Sequence, residues 1–338
     1  MTSWELDDFQ YDRILKRAVL PYLFPSREVE DSQPVLILLA GGPGAGRARA
    51  TRHLITDHGP DVAVLSSEDL RAFHPRFSQL ASTSSPDALE GVTRATAGWL
   101  RDCIRYAREN KRSLLIEGAF QDPAVAVGTV ARFADAGFRT RVVIVASRRA
   151  ESLLSVASLY LSNVRAGTPA RFVSREAHDR ALEATRTLAG AAEGSAAVDR
   201  LTVIGRNGGL VFDALRSDSE DATLGAGAAL ESEQSARLSR FDATQWLSEL
   251  HHATDFALTR RDLPRGVTEL LLELHEVALR EVIPELHVPP DGKFVSAIEQ
   301  KTATRLSELQ RSLRREEIVD LAAPFVTPVG PERGGISR

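Results

Sequence analysis

Apolar residues fall along this chain in two regimes. Short unbroken runs occupy Pro34–Ala40, Val62–Leu65, Ser113–Ile116, Arg141–Ala146 and Leu201–Ile204. Such runs suit strands buried on both faces, because a half-exposed strand would alternate polar and apolar positions. Between them lie stretches with helical periodicity, notably 87–110, 123–137 and 174–192. Alternation of this kind predicts an α/β fold, a parallel sheet flanked by helices on both faces. Ahead of the first strand, Tyr11 to Leu20 reads as helical, with Pro21 and Pro25 expected to end it. Beyond residue 240 the strand signal disappears. Phe241–Leu247, Val267–Leu274 and Ile298–Leu321 carry helical spacing around a Pro289-Pro290 break, which predicts an all-helical module.

These patterns divide the chain into a sheet-containing domain over 1–216, a linker over 217–235, a helical module over 236–323 and a mobile tail over 324–338. The linker assignment rests on composition, since SDSEDATLGAGAALESEQS is small, acidic and rich in Gly and Ala. No internal repeat is present.

Composition adds mainly exclusions. With 43% hydrophobic and 26% charged residues in 338, the chain can bury a core. A formal charge of -4 argues against a protein that grips nucleic acid by bulk charge. No apolar run is long enough for a membrane span, and the acidic N-terminus does not read as a signal peptide, so a cytoplasmic location is expected. The single cysteine, Cys103, leaves no disulfide framework and reads as a core residue. His251-His252 lacks the neighbours a metal site needs.

Chemistry concentrates where the first strand ends. Gly41, Gly42, Pro43, Gly44, Ala45, Gly46, Arg47 and Ala48 keep the spacing of a P-loop between a buried strand and a helix. Backbone N–H groups in such a loop curl around phosphate, and the helix that follows favours an anion. A glycine-rich turn that binds nothing is the plain alternative. Two positions depart from the motif: Arg47 stands where lysine reaches the outer phosphates, and Ala48 where a hydroxyl ligates Mg²⁺. Arginine keeps the charge but not the geometry, and alanine ligates nothing. Thr51, Ser66, Ser67 or water remain as substitutes for the missing ligand.

From Pro34 to Phe212 the chain resembles the zeta toxin family, P-loop kinases of toxin–antitoxin systems. The resemblance lies in the order of landmarks: the P-loop, Leu65 to Phe77 with its His74-Pro75, Leu114 to Gly118, Ala170 to Asp179, and a closing hairpin over Gly205–Phe212. It implies ATP and Mg²⁺ as cofactors and transfer of the γ-phosphate to a hydroxyl of UDP-N-acetylglucosamine or a related nucleotide sugar. It further implies Glu68 as the base that accepts the hydroxyl proton, with Asp69 an adjacent candidate, and Arg171 as the cation on the transferring phosphate. Arg71, His74, Glu117 and Gly118 would then lie on the substrate side. Read from the residues alone, Glu68 and Asp69 could simply start a helix, and His74 could buttress a turn. A second arginine of the family, upstream of Arg171, has no aligned match; Arg148, Arg149 and Arg165 are the nearby substitutes. Three departures together open a second expectation, a nucleotide-binding protein of this fold whose catalysis has decayed. The resemblance also implies an antitoxin partner, and the helical module over 236–323 is a candidate for that restraint in cis.

Overall fold

A computed structural model of the chain describes residues 4–25, 33–59, 61–80, 86–168, 171–219, 221–260, 262–286 and 293–322. The Pro289-Pro290 break and the tail over 324–338 lie outside the described residues.

The five apolar runs form β1 (Val35–Ala40), β2 (Ala63–Ser66), β3 (Leu114–Gly118), β4 (Arg139–Ala146) and β5 (Arg200–Gly205). A sixth strand, β6 (Leu210–Leu215), closes one edge in the order β2-β3-β1-β4-β5-β6. All neighbouring pairs are parallel except β5 and β6, which form an antiparallel hairpin. The sheet is therefore mixed, because a tight turn at Gly208 can only return the chain antiparallel. Central β1 is buried along its whole length. Its Leu36, Leu38 and Ala40 face a large core holding Trp99, Phe133 and the N-terminal helical segment, while Ile37 and Leu39 pack with Ala45, Ala50 and Leu54 on the other side. Cys103 is buried in that large core, and desolvation pushes its thiol up to about 12.

The N-terminal segment runs helical from Asp8 through Leu23, past Pro21 rather than ending there. A wide π turn over Leu15–Val19 precedes the proline, which accommodates its missing N–H and its ring without breaking the rod.

Residues 217–235, which composition marks as a linker, are helical over their second half. Ala226–Ser235 is a helix, with Ala226 and Leu230 buried in the large core. Its Gly227 N–H donates to Glu193, and Arg186 donates to Gln234. Two apolar side chains at helical spacing dock it, an effect that average composition conceals.

The helices Arg240–Leu258, Arg265–Val277 and Lys293–Ala322 form the C-terminal module. Their core is continuous with Leu153, Leu154, Ala157, Tyr160 and Leu161 of the helix Arg149–Ala166, which follows β4. Trp246 Nε1–H donates to the Ala150 carbonyl at 3.0 Å. At the charged margin, Arg148 donates to Glu285 at 2.6 Å and Arg149 to Glu273 at 2.6 Å. The helices thus share a core with this one helix, distinct from the two cores that flank the strands. A chain ending at Arg216 would bare five such side chains, each worth about 2 kcal/mol of burial for the larger ones. It should be insoluble or lack a cooperative melt; a soluble, cooperatively folding fragment would show that the module is separable.

Within the module His251 and His275 stack at 6.0 Å, donating or accepting at Thr302 and Thr254 respectively. The Thr254 hydroxyl proton goes to the Leu250 carbonyl, so His275 Nε2–H is the donor to it and Nδ1 is left buried without a partner. Burial, assisted for His251 by Arg305 and Lys301 and for His275 by His251 and Arg305, lowers the pair to about 4 and about 3, with Asp255 acting the other way. The unfolded chain binds these protons first, so stability is full at neutral pH and falls as pH drops below the unfolded value. The loss should be on the order of 2 kcal/mol per histidine by pH 5, read from denaturant midpoints. A midpoint independent of pH across this window would contradict the buried-neutral assignment.

Candidate functional site

The strand register brings the candidate residues to one edge. Ala40 pairs with Gly118 and Leu39 with Glu117, while Ser66 pairs with Glu117 from the other side. The ends of β1, β2 and β3 are therefore level, and the glycine loop, Glu117 and the start of the helix Ser67–Arg71 share the carboxyl edge of the sheet. Open parallel sheets bind ligands at this edge.

The loop itself is shaped by close contacts. Gly44 and Gly46 have φ of +75° and +101°, a region that disfavours other residues. A methyl group on Gly44 would also collide with the Ser152 carbonyl oxygen of the helix Arg149–Ala166. From Gly46 the chain enters the helix Arg47–His58, with Arg49 and Ala50 N–H groups returning to the Gly46 carbonyl. Arg206, in the turn between β5 and β6, donates to the Gly44 carbonyl at 2.9 Å and to Ser155 Oγ at 2.6 Å. Glu151 lies 3.9 Å from the same guanidinium, and burial raises its carboxyl pKa despite that charge. Arg206 carried no distinctive sequence signal, since its contact exists only because the hairpin turn folds back on the loop.

Arg47 curls back onto its own loop. Nη1 donates to the Gly41 carbonyl and, at 3.2 Å, to that of Gly42, while Nε donates to Glu117 Oε1 at 3.1 Å. The other Glu117 oxygen accepts from Thr51 Oγ1 at 2.9 Å. Both partners of the ion pair are under one-fifth exposed. Ala48 is exposed and offers no oxygen.

At a nucleotide site Mg²⁺ takes one or two protein oxygens and fills its octahedron with water and substrate phosphates, so the fit turns on whether a free hydroxyl or carboxylate faces the loop. Here the Glu117 carboxylate is already satisfied by a guanidinium and a hydroxyl. Ser66 Oγ donates to Asp69 and accepts from the Asp69 N–H as a helix cap. Among the described residues no group of three acidic, His or Cys side chains converges as a metal site. The donor set does not fit the ion.

Of the remaining candidates, three lie near one another and His74 stands apart. Glu68 and Asp69 are exposed in the first turn of Ser67–Arg71, where carboxylates favour the helix dipole. Burial and the Arg171 charge depress the Arg71 pKa while Glu68 opposes them, so these three lie within electrostatic reach. Arg71 Nε is buried without a hydrogen-bond partner, and Arg171 is exposed. His74 is engaged elsewhere: its Nδ1 accepts from the Arg76 N–H, so Nε2–H donates to the Trp4 carbonyl at 3.2 Å. Burial lowers its pKa, in keeping with a neutral ring that anchors the N-terminus.

The three stand-ins for the unmatched arginine are all committed to other contacts. Arg148 pairs with Glu285, Arg149 with Asp179 and Glu273, and Arg165 lies 4.4 Å over the Phe256 ring. Asp179 also accepts from His178, whose Nε2 meets Ser152 Oγ at 2.9 Å. Ser152 and His178 are each 1% exposed, so this Ser–His–Asp line is a brace and not a nucleophile.

Gly44→Ala should therefore destabilise the protein by at least about 1–3 kcal/mol, from backbone strain before the collision is counted. Chemical denaturation checks it, and a midpoint equal to wild type would contradict the close approach.

The family model for zeta toxin matches residues 24–216, more than half the chain. Toxin PezT of Streptococcus pneumoniae is 23% identical over 198 residues, 56% of this chain and 76% of that toxin. Toxin zeta of Enterococcus hirae is 24% identical over 152 residues, 44% of this chain and 53% of that toxin, so the match spans about half the length of that relative. A solved structure from the PezAT toxin–antitoxin system of S. pneumoniae superposes with a TM-score of 0.63 at 18% identity, covering 75% of this chain and all of that one, which is a likeness of fold. Among the described residues no helix is long and apolar enough to cross a membrane. With the glycine loop, the strand order and the matched span in agreement, this chain belongs to the zeta toxin family.

Proposed function

We propose that the chain holds a nucleoside triphosphate, taken as ATP, in the Gly41–Arg47 loop, and that its phosphoryl-transfer apparatus has been reduced to a binding site. The observation that carries this reading is the Arg47 side chain, a cation folded onto the loop carbonyls within reach of Glu117. An incoming phosphate at the loop N–H groups offers that guanidinium a stronger, bidentate acceptor than a carbonyl. Arg47 would then turn off Gly41 and Gly42, and Arg206 would keep the Gly44 peptide in place. The reduced catalytic equipment is equally concrete: no hydroxyl at 48, a donor set that does not fit Mg²⁺, and Arg148, Arg149 and Arg165 all engaged.

A second reading keeps the transfer, from ATP to a hydroxyl of UDP-N-acetylglucosamine or a related nucleotide sugar. The electrostatic reach of Glu68 and Arg171 to Arg71 favours it. Glu68 would accept the hydroxyl proton, Asp69 being tied to Ser66, while Arg71 and Arg171 would face substrate phosphates. Glu117 and Gly118 would flank the same space. In either reading the C-terminal helices act as a fixed brace on the helix Arg149–Ala166, and a separate antitoxin would need a surface they leave free.

Arg47→Ala should weaken ATP binding by at least about tenfold through loss of a charge-assisted contact, measured by calorimetry. Equal affinity in wild type and variant would overturn the site. Arg47→Lys with Ala48→Thr, incubated with ATP, MgCl₂ and UDP-N-acetylglucosamine, should form more phosphosugar than wild type. A wild type as productive as the double variant would favour the kinase reading over the reduced one.

A further inference from the structure

We infer that this loop takes its triphosphate without a divalent cation, the Arg47 guanidinium standing where the metal's charge would be needed. The inference rests on the nucleotide reading above and extends it to the form of the ligand, free ATP in place of its magnesium complex.

Three observations converge on it. First, the loop-helix position that ordinarily supplies the metal's hydroxyl is Ala48, whose methyl group is exposed and inert. Second, Glu117, the carboxylate at the end of β3 beside β1, is neutralised from within the chain. One of its oxygens takes Arg47 Nε at 3.1 Å and the other takes Thr51 Oγ1 at 2.9 Å. A divalent ion entering here would have to break an ion pair that is under one-fifth exposed on both sides, and would gain a single carboxylate for it. Third, the next acidic groups do not make up the deficit: Asp69 accepts from the Ser66 hydroxyl and Ser66 in turn caps its helix.

The same groups suit a bare polyphosphate. Arg47 presents a planar, delocalised cationic fork that matches two phosphate oxygens at once. When the phosphate draws Arg47 off the loop carbonyls, Nε can stay on Glu117, so the carboxylate orients the guanidinium much as it would orient a hydrated ion. Free ATP also carries more negative charge than its magnesium complex, and an arginine site with no bound metal favours the more highly charged form.

The test is calorimetric titration of the full-length chain with ATP, once in EDTA and once in excess MgCl₂, for wild type and for Arg47→Lys/Ala48→Thr. Wild type should bind in EDTA as tightly as in magnesium or more so, within about threefold, whereas the double variant should bind at least about tenfold tighter when magnesium is present. A wild type that weakens tenfold or more in EDTA would overturn the metal-free inference while leaving the nucleotide site standing. Absence of binding in both buffers by a protein that circular dichroism shows to be folded would overturn the nucleotide reading itself. A double variant indifferent to magnesium would overturn the assignment of the missing ligand to Ala48.

Discussion

A backbone carbonyl of the helix Arg149–Ala166 presses on Gly44 so closely that only hydrogen fits between them. Much of the molecule follows from that contact. It holds the glycine loop against the first turn of that helix, and the helix is in turn clasped by the C-terminal module through Trp246 and the pairs Arg148–Glu285 and Arg149–Glu273. Ser152, His178 and Asp179 continue the line of hydrogen bonds from beneath the loop to Arg149. The C-terminal helices therefore bear on the loop mechanically, through a packed core and a chain of polar contacts. This is why they read as part of the scaffold, where residue composition alone suggests a tethered accessory.

The charges near the loop balance one another within the chain. Glu117 neutralises Arg47, Glu285 neutralises Arg148, and Asp179 with Glu273 neutralises Arg149. In a phosphoryl-transfer site several of these cations would face substrate instead, where their value lies in meeting charge that develops during reaction. Near the loop, Arg71 differs: its Nε is buried without a hydrogen-bond partner, and the nearby Arg171 charge acts against its own while Glu68 favours it.

How much of this was legible in the sequence depends on the length scale of each cause. The strands of the parallel sheet were readable because burial on both faces leaves unbroken apolar runs such as Val35–Ala40. The loop was readable because glycine spacing is local. The helix Arg149–Ala166 has no such mark: Ser152, Leu153, Leu154, Val156, Ala157 and Tyr160 are all buried, so apolar and small residues surround it and the amphipathic stripe fades. Ala226–Ser235 is hidden from a compositional reading because two docking residues count for little in an average. Arg206 and the Arg47–Glu117 pair depend on segments brought together from 70 or more positions apart in the latter pair, which no local pattern encodes. His74 shows the reverse case, a residue with a suggestive spacing whose ring nitrogens both serve the backbone.

The Arg47 guanidinium should lie on the loop carbonyls before ligand arrives and on phosphate afterwards. Nitrogen NMR of arginine side chains, with Arg47→Lys to assign the signal, reads this directly in the full-length protein. The Arg47 Nε–H should be protected from solvent exchange in the free protein and should shift when ATP is added, with or without magnesium. An Nε–H that exchanges freely without ligand, or one that ATP leaves unmoved while binding elsewhere, would contradict this placement.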